Sequence, residues 1–528
     1  MSAAARPLCA AAFAALTTLA AAPGAHATGF TDIGQDLRAH RDAAFEAHGM
    51  LRARGEWLYD LDLDRGLTPS GQPLYPVPAS DPAGQSLVSA DLRLRTDLAA
   101  YALDGGVAVK VRIDAPADLV LGSEAVGIPA GSATQRPITA IAIRRAYGEA
   151  LTPVGLLAVG RMGAHWGLGM LTNGGDCADC DGGDAADRIA FATPLAGHIW
   201  AAAFDFSASG PFVARRDGAR AVDIDPSDDV RTVTFALLRW RDDLARARRR
   251  KADKLTLEYG ALLSHRWQNQ DVPATYLPTT QPLALRGSTT MARGYRATAL
   301  DGWLRFTSAH ARVEAEAAVL VASVDQPSLV PGALYRVPVE STQVGAALES
   351  ELGAPEDRFG AGLDAGYASG DPAPGFGVSP GISRTPPQAG DLDGPQASPP
   401  GDARVDNFRF HPDYRVDRIL FREIVGTVTD AIYLRPHARW TVLRVGPSSL
   451  SASLAAVASW AVEATSTPGG RSPLGVEIDP TLAYENRDGF AAALEHAALF
   501  PLSGLDNPRL HASAQPAQLV RLRLSFVF

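Results

Sequence analysis

From Leu51 to Leu63 the chain alternates. Leu51, Ala53, Gly55, Trp57, Tyr59, Leu61 and Leu63 hold odd positions, while Arg52, Arg54, Glu56, Asp60 and Asp62 hold even ones, with Leu58 the exception. Successive side chains of a strand point to opposite faces, so this segment predicts a strand with one apolar and one charged face. The same period recurs. Val88, Ala90, Leu92, Leu94 and Leu98 alternate with Ser89, Asp91, Arg93, Arg95 and Asp97. Val107, Val109, Val111 and Ile113 alternate with Lys110, Arg112 and Asp114, and Val520, Leu522, Leu524, Phe526 and Phe528 with Arg521, Arg523 and Ser525. About eighteen such segments run from 50–63 to 516–528. A soluble sandwich also alternates, but its polar face is rarely a run of Arg and Asp on every strand.

The connections add a second signal. Links alternate between short ones, such as 103–104, 149–152, 353–356 and 486–487, and long ones, such as 64–86, 115–137, 163–186, 269–294 and 370–427. Short periplasmic turns, long extracellular loops and an even strand number are the pattern of outer-membrane barrels. The expectation is therefore an all-β, up-and-down antiparallel transmembrane barrel of about 18 strands, a single domain over 28–528. One link, 242–253, is longer and Arg-rich, and parity puts it on the periplasmic side. Tyr101, Tyr147, Trp240, Trp267, Trp303, Trp440 and Phe500 lie near strand ends, where an interfacial aromatic girdle would sit.

Composition narrows the classes. With Gly 50 and Pro 38 in 528 residues, a helical bundle is excluded. An apolar share of 46% argues against a disordered chain. A net charge of −9 without a long basic block argues against nucleic acid as a partner. The start of the chain has a basic Arg6, an apolar run from Leu8 to Ala22 and the small-residue end Ala25-His26-Ala27. That is the form of a secretory signal peptide over 1–27, cleaved before Thr28. No stretch of the rest is apolar and long enough to predict a transmembrane helix.

The final residues, Leu522 to Phe528, resemble the assembly signal of Gram-negative outer-membrane proteins. That resemblance implies that Phe526 and Phe528 are read by the barrel assembly machinery and that the mature chain meets outer-membrane lipid. Gly160-Arg161-Met162 with Trp166-Gly167-Leu168-Gly169, and Gly366-Tyr367-Ala368-Ser369-Gly370-Asp371, look like parts of the alginate-export and substrate-specific porin group. The group implies a channel, or an export conduit for an anionic polysaccharide. The very long loop 370–427 departs from its pattern, so a substrate does not carry over. Phe408 to Ile424 resembles an uncharacterised outer-membrane family, which implies no activity.

Candidate sites follow from which face lines the lumen. Arg52, Arg54, Arg93, Arg95, Lys110, Arg112, Arg521 and Arg523 fall on four strands that become consecutive when the barrel closes. Glu314 and Glu316 lie about half a circumference away. A basic wall facing an acidic one would put a transverse field across the pore and favour small polar or anionic solutes. The alternative is cross-strand pairing of the same charges with Asp91, Asp97 and Glu56. Cys177 and Cys180 suggest a local disulfide in an oxidising compartment. Their neighbours Asp176, Asp179, Asp181 and Asp184 read as a solvated acidic loop, with calcium the weaker alternative because the EF-hand spacing is missing. In the loop 370–427, the half up to Asp402 reads as mobile. The other half carries Phe408, Phe410, Tyr414, Ile419, Leu420 and Phe421, which need a surface to cover, either in the lumen or over its mouth. No nucleophile elbow, HExxH or phosphate loop is present, and His265, His437 and His496 pair with no nucleophile in the sequence, so neither an enzyme nor a cofactor is expected. The function expected is passive or substrate-selective passage, with a closed barrel serving as surface scaffold or adhesin as the remaining alternative.

Overall fold

A computed structural model describes residues 34, 37, 44–77, 85–102, 104–122, 140–207, 229–271, 291–327, 337–376, 388–392 and 403–528. The expected signal peptide, 1–27, lies outside them, as does most of the Gly- and Pro-rich stretch up to Asp402.

The described strands are β1 (Phe45–Tyr59), β2 (Ser86–Tyr101), β3 (Val107–Asp114, resuming at Leu119–Val120), β4 (Ala142–Thr152), β5 (Gly155–Gly163) and β6 (Ala185–Leu195). They continue as β7 (His198–Ser207), β8 (Val230–Arg239), β9 (Thr256–Asp271), β10 (Met291–Thr307), β11 (Ala311–Val324) and β12 (Val339–Leu352). The last are β13 (Phe359–Ala368), β14 (Ala431–Val445), β15 (Ser448–Ala461), β16 (Pro473–Glu485), β17 (Phe490–Pro501) and β18 (Ala517–Val527). Both parts of β3 pair with β2, so they form one crossing. Each strand is antiparallel to its neighbour, and β18 pairs with β1 to close an 18-stranded barrel. The edge problem of an open sheet is thereby removed. The final residue takes part: the backbone N–H groups of Gly49 and Phe528 each donate to the other's carbonyl, at 2.9 and 3.0 Å.

The pleat sorts the side chains as the alternation requires. In β8, Val230, Thr232, Thr234, Ala236 and Leu238 are buried while Phe235 is exposed. On β2 and β3, Val88, Val107 and Val109 are exposed, and Arg93 on the other face is fully buried. Apolar side chains thus face out around the barrel, and the chain's own core lies inside it. Phe408, Phe410, Ile419, Leu420 and Phe421 are all buried there, in one cluster with Tyr433 of β14 and Leu474 of β16. Gly345 of β12 leaves the space into which the Phe408 ring packs; a β-carbon there would clash with it. Burying each such side chain contributes roughly 1.5–3 kcal/mol. The apolar half of 370–427 therefore covers the inner wall.

Four of the expected girdle aromatics are corrected by the same parity: Tyr147, opposite Lys110, and Trp240, two after Leu238, pack partly buried against the inner cluster, and two more are fully inside. Trp303 is only 3% exposed and donates from Nε1 to Glu314 at 2.8 Å, inside the barrel. Tyr101 is buried too. Their neighbours Leu304 and Ala100 hold the outward positions, whereas Trp440 and Phe500 do face out, as expected. The Arg-rich link 242–253 contains a helix, α1 (Asp243–Lys251), at the end of the barrel where the short turns lie.

Candidate functional site

Register creates an electrostatic problem on one side of the lumen. Arg52 lies directly opposite Arg93, and Arg54 directly opposite Arg523. Like charges directly across strands repel, and these guanidiniums are buried or nearly so. They are compensated in two ways. The first is by wall carboxylates: Arg54 meets Asp91 at 2.7 Å, Arg112 meets Asp97 at 2.6 Å and Arg521 meets Glu56 at 2.5 Å. Lys110 meets Glu149 at 2.8 Å, Arg95 meets Asp114 at 2.8 Å and Arg523 meets Glu495 at 3.1 Å.

The second source is the loop 164–184, which turns into the lumen. Asp181 lies 3.0 Å from both Arg52 and Arg54, Asp179 pairs with Arg54 at 3.3 Å, and Asp176 pairs with Arg112 and, at 2.9 Å, with Arg145. Loop carbonyls join in. The Cys180 carbonyl accepts from Arg52 at 3.2 Å and from Arg93 at 2.6 Å, and the Gly175 carbonyl accepts from Arg95 at 2.7 Å. Asp118, at the interruption of β3, bridges Arg93 and Arg52. A disulfide links Cys177 to Cys180 within the loop.

Burial alone pushes these loop carboxyls up, but the guanidiniums outweigh it. Arg112 and Arg145 hold Asp176 at about 2. Arg422 first, then Arg521 and Arg523, hold Asp179 far below the usual carboxylate range, and Arg54 and Arg422 hold Asp181 down. Asp176, Asp179 and Asp181 therefore face guanidiniums. Asp184 sits 3.4 Å from His411. Among the described residues no set of three or more histidine, cysteine or carboxylate side chains is arranged for a metal ion.

On the opposite side, Glu314 and Glu316 do not form a bare acidic wall. Glu314 pairs with Arg312 at 2.8 Å, and Arg312 also reaches Glu349, which lies directly opposite Glu314. Glu316 is buried and accepts backbone N–H groups of the same inward loop, from Leu168 and, at 3.3 Å, from Leu171. Trp166 anchors beside it by donating to Asp301 at 2.9 Å. The Trp166-Gly167-Leu168-Gly169 stretch is thus the part of the loop that meets β10 and β11. Gly167 has a φ of 56°, and a β-carbon on it would strike the Glu316 carboxylate.

The second inward segment, 403–430, locks onto the first. Asp413 accepts from the backbone N–H groups of Asp181 and Gly182 at 2.9 and 3.0 Å. Arg415 pairs with Asp181 at 3.0 Å, and Arg422 with Asp179. The other flank rests on β16: Glu477 accepts from the N–H groups of Arg418, Ile419 and Leu420 at 2.8, 2.9 and 3.0 Å. Asp417 in turn caps the π-helical turn Leu420–Ile424, accepting from Phe421 at 2.9 Å and Arg422 at 3.1 Å. Burial among Glu477 and Asp479 pushes Asp417 up to about 7 against those hydrogen bonds. Glu477, Asp417 and Asp413 were not singled out from the sequence. The partners of Glu477 and Asp413 are backbone groups of distant segments, which leave no residue pattern, whereas Asp417 caps a turn only four and five residues on.

No family model matches this chain, and no curated protein matches it. Among solved structures it is similar to the outer-membrane protein OpdK of Pseudomonas aeruginosa, at 11% identity and a TM-score of 0.43 over 92% of this chain and 98% of that one. It is also similar to a BenF-like porin from Pseudomonas fluorescens Pf-5, at 9% identity and a TM-score of 0.43 over 93% and 100%. OccAB2 of Acinetobacter baumannii matches at 8% identity and a TM-score of 0.43 over 92% and 98%.

Proposed function

We propose that the protein is an outer-membrane channel for small polar or anionic solutes, narrowed by two inward segments. The observation that carries this reading is the closed 18-stranded barrel, apolar outside, with its charged rows turned inward. In a low-dielectric enclosure such rows focus the field on whatever passes. The arginine rows remain the proposed selectivity element, tempered by the loop carboxylates set against them. An export conduit for a polysaccharide is disfavoured because 164–184 and 403–430 occupy the lumen. No catalytic step is proposed. His265 meets Thr298 at 2.9 Å and His437 meets Asp364 at 3.3 Å. Assembly is proposed to use Phe526 and Phe528, which are exposed at the barrel seam, the Phe526 ring tilted against Phe490 with centroids 5.1 Å apart.

The extensive apolar packing of 403–430 inside the barrel favours one second reading, a closed barrel serving as a surface scaffold. Conductance in planar bilayers separates the two. The channel reading expects small, discrete conductance steps from wild-type protein that enlarge when the loop 164–184 is released. No conductance from either would leave the scaffold.

A further inference from the structure

The outward face of β8 to β12 has no part in the lumen scheme. On β8, after Arg239 at the short-turn border, its positions are Leu237, Phe235 and Val233, and then Arg231. On β9 they are Ala261 and Leu263, then His265 and Trp267; on β10 they are Leu304, Gly302 and Leu300, then Thr298 and Arg296. Register sets the polar ends of these runs side by side. Trp267 lies directly opposite Arg231 on one flank and Arg296 on the other, and residues directly opposite share a face. Phe235 and Leu300, 55% and 57% exposed, mark that face as the lipid-facing one, and Arg231 and Arg296 are exposed on it. Among the described residues Arg296 makes no ion pair. The long link 269–294 joins β9 to β10 at this end, so the border is the extracellular one. Two guanidiniums thus flank one indole, each strand about 5 Å from the next.

Below this border the wall is hollowed. Gly302, Ala317 and Ala346 lie in one cross-strand row on the same face. They floor an apolar groove of about 560 Å³ whose sides include Leu304, Leu348 and Tyr367. A β-carbon on Gly302 would meet nothing within 4 Å, so the hollow opens outward. From Arg296 to Gly302 the strand runs roughly 20 Å, which at a tilt of about 40° is roughly 15 Å of depth. That is half of a hydrocarbon layer about 30 Å thick. With Arg296 at headgroup level, the groove lies where a chain hanging from that headgroup ends.

We propose that this face holds a phosphorylated lipid of the extracellular leaflet, its phosphate between Arg231 and Arg296 and an acyl chain in the groove. Guanidiniums grip phosphate through paired N–H donors. Their stems lie along the apolar wall while their heads stay at headgroup level, and each adds attraction to an anionic surface. Trp267 between them sits where an indole prefers the interface. A second copy of the chain suits the face less: a twofold contact would bring one arginine pair against the other.

The test uses full-length protein in detergent, equilibrated with diphosphorylated lipid A or with the same lipid dephosphorylated, and read by native mass spectrometry. Wild type is expected to retain the phosphorylated form in preference. R231Q/R296Q should retain it at least about tenfold more weakly. G302L/A317L, which fills the groove, should also retain it more weakly. R239Q, which removes an outward arginine at the other border, should match wild type, and a heat-modifiable gel shift confirms that each barrel is folded. Inorganic phosphate at millimolar concentration should leave the lipid bound, because it has no chain for the groove. Equal retention by wild type and either double variant overturns the proposal, as does equal retention of the two lipids. So does a wild type that retains neither lipid but forms dimers that G302L/A317L abolishes.

Discussion

On one side of the lumen the wall supplies cations and the inward loop supplies carboxylates; on the other the wall supplies a carboxylate and the loop supplies backbone N–H groups. Both hold the same segment. Between Gly174 and Asp181, seven wall arginines share three loop carboxylates and several carbonyls, so most contacts are duplicated. Between Leu168 and Leu171 one residue, Glu316, takes the N–H groups of Leu168, Met170 and Leu171. Duplicated ion pairs tolerate the loss of a member. A single buried acceptor does not, because each orphaned N–H costs roughly 1–3 kcal/mol.

The largest effect should therefore come from Glu316→Ala. It removes the acceptor for the N–H groups of Leu168, Met170 and Leu171 and should weaken docking of the loop by about 2–4 kcal/mol. The expected readout is a larger single-channel conductance and faster proteolysis within 164–184, with the barrel still heat-modifiable. Unchanged conductance and proteolysis would mean that the arginine side holds the loop alone.

Second in size is a pH effect that separates the two inward segments. Asp417 has its pKa raised in the docked state, to about 7, by burial first and then by Asp479, with Glu477 also beside it and Arg418 close to both wall carboxylates. A raised carboxyl binds its proton more tightly docked than free, so docking of 403–430 should strengthen as pH falls from about 7 to about 4. Asp176 runs the other way: held at about 2, it favours docking at every pH above the usual carboxylate value and loses that only in stronger acid. Conductance should thus fall on acidification from pH about 7 to about 4. Asp417→Asn, which stays neutral, should flatten that titration. A slope that survives the substitution would assign the effect to another group.

The strands and their two faces were legible in the sequence because alternation is local. Each of the segments expected from 50–63 to 516–528 has a strand over it, and the closing of the last strand on the first follows from order. The lumen was not legible to the same depth. Asp176, Asp179 and Asp181 read as a solvated loop because nothing in their neighbourhood shows that the partners are 52, 54 and 112. The clue lay elsewhere: Arg52 opposite Arg93 is a register that needs a counter-charge from outside the strands. Trp303 and Tyr101 could have been set right by the rule already in use, since both occupy inward parity. Glu316 could not, as its partners are backbone groups more than a hundred residues away.

Third is Arg93→Ala. This guanidinium is fully buried, pairs with Asp118 and donates to the Cys180 and Asp181 carbonyls. Asp118 and the Cys180 carbonyl keep Arg52 as a partner. The cost should be about 1–2 kcal/mol, measured as a shift in the thermal midpoint, with a smaller change in conductance than Glu316→Ala gives. A loss as large as that of Glu316→Ala would show that the arginine contacts act as one unit and that duplication confers no tolerance.

The smallest effect should come from the disulfide. Cys177 and Cys180 are three residues apart, and the Cys180 N–H already donates to the Cys177 carbonyl at 3.2 Å, so the turn exists without the sulfur bond. Closing so short a loop restrains the unfolded chain little, at most about 2 kcal/mol by loop entropy. What docks the turn on the wall is the carbonyl of Cys180, which Arg52 and Arg93 share, together with the neighbouring carboxylates. The double substitution to Ser keeps every one of those groups. Conductance and its pH dependence should match wild type, with at most a modest fall in the thermal midpoint. If reduction by dithiothreitol enlarged the conductance as much as Glu316→Ala does, the arginine side would depend on a turn held by sulfur. The two sides would then be equally fragile, each resting on one bond or one residue.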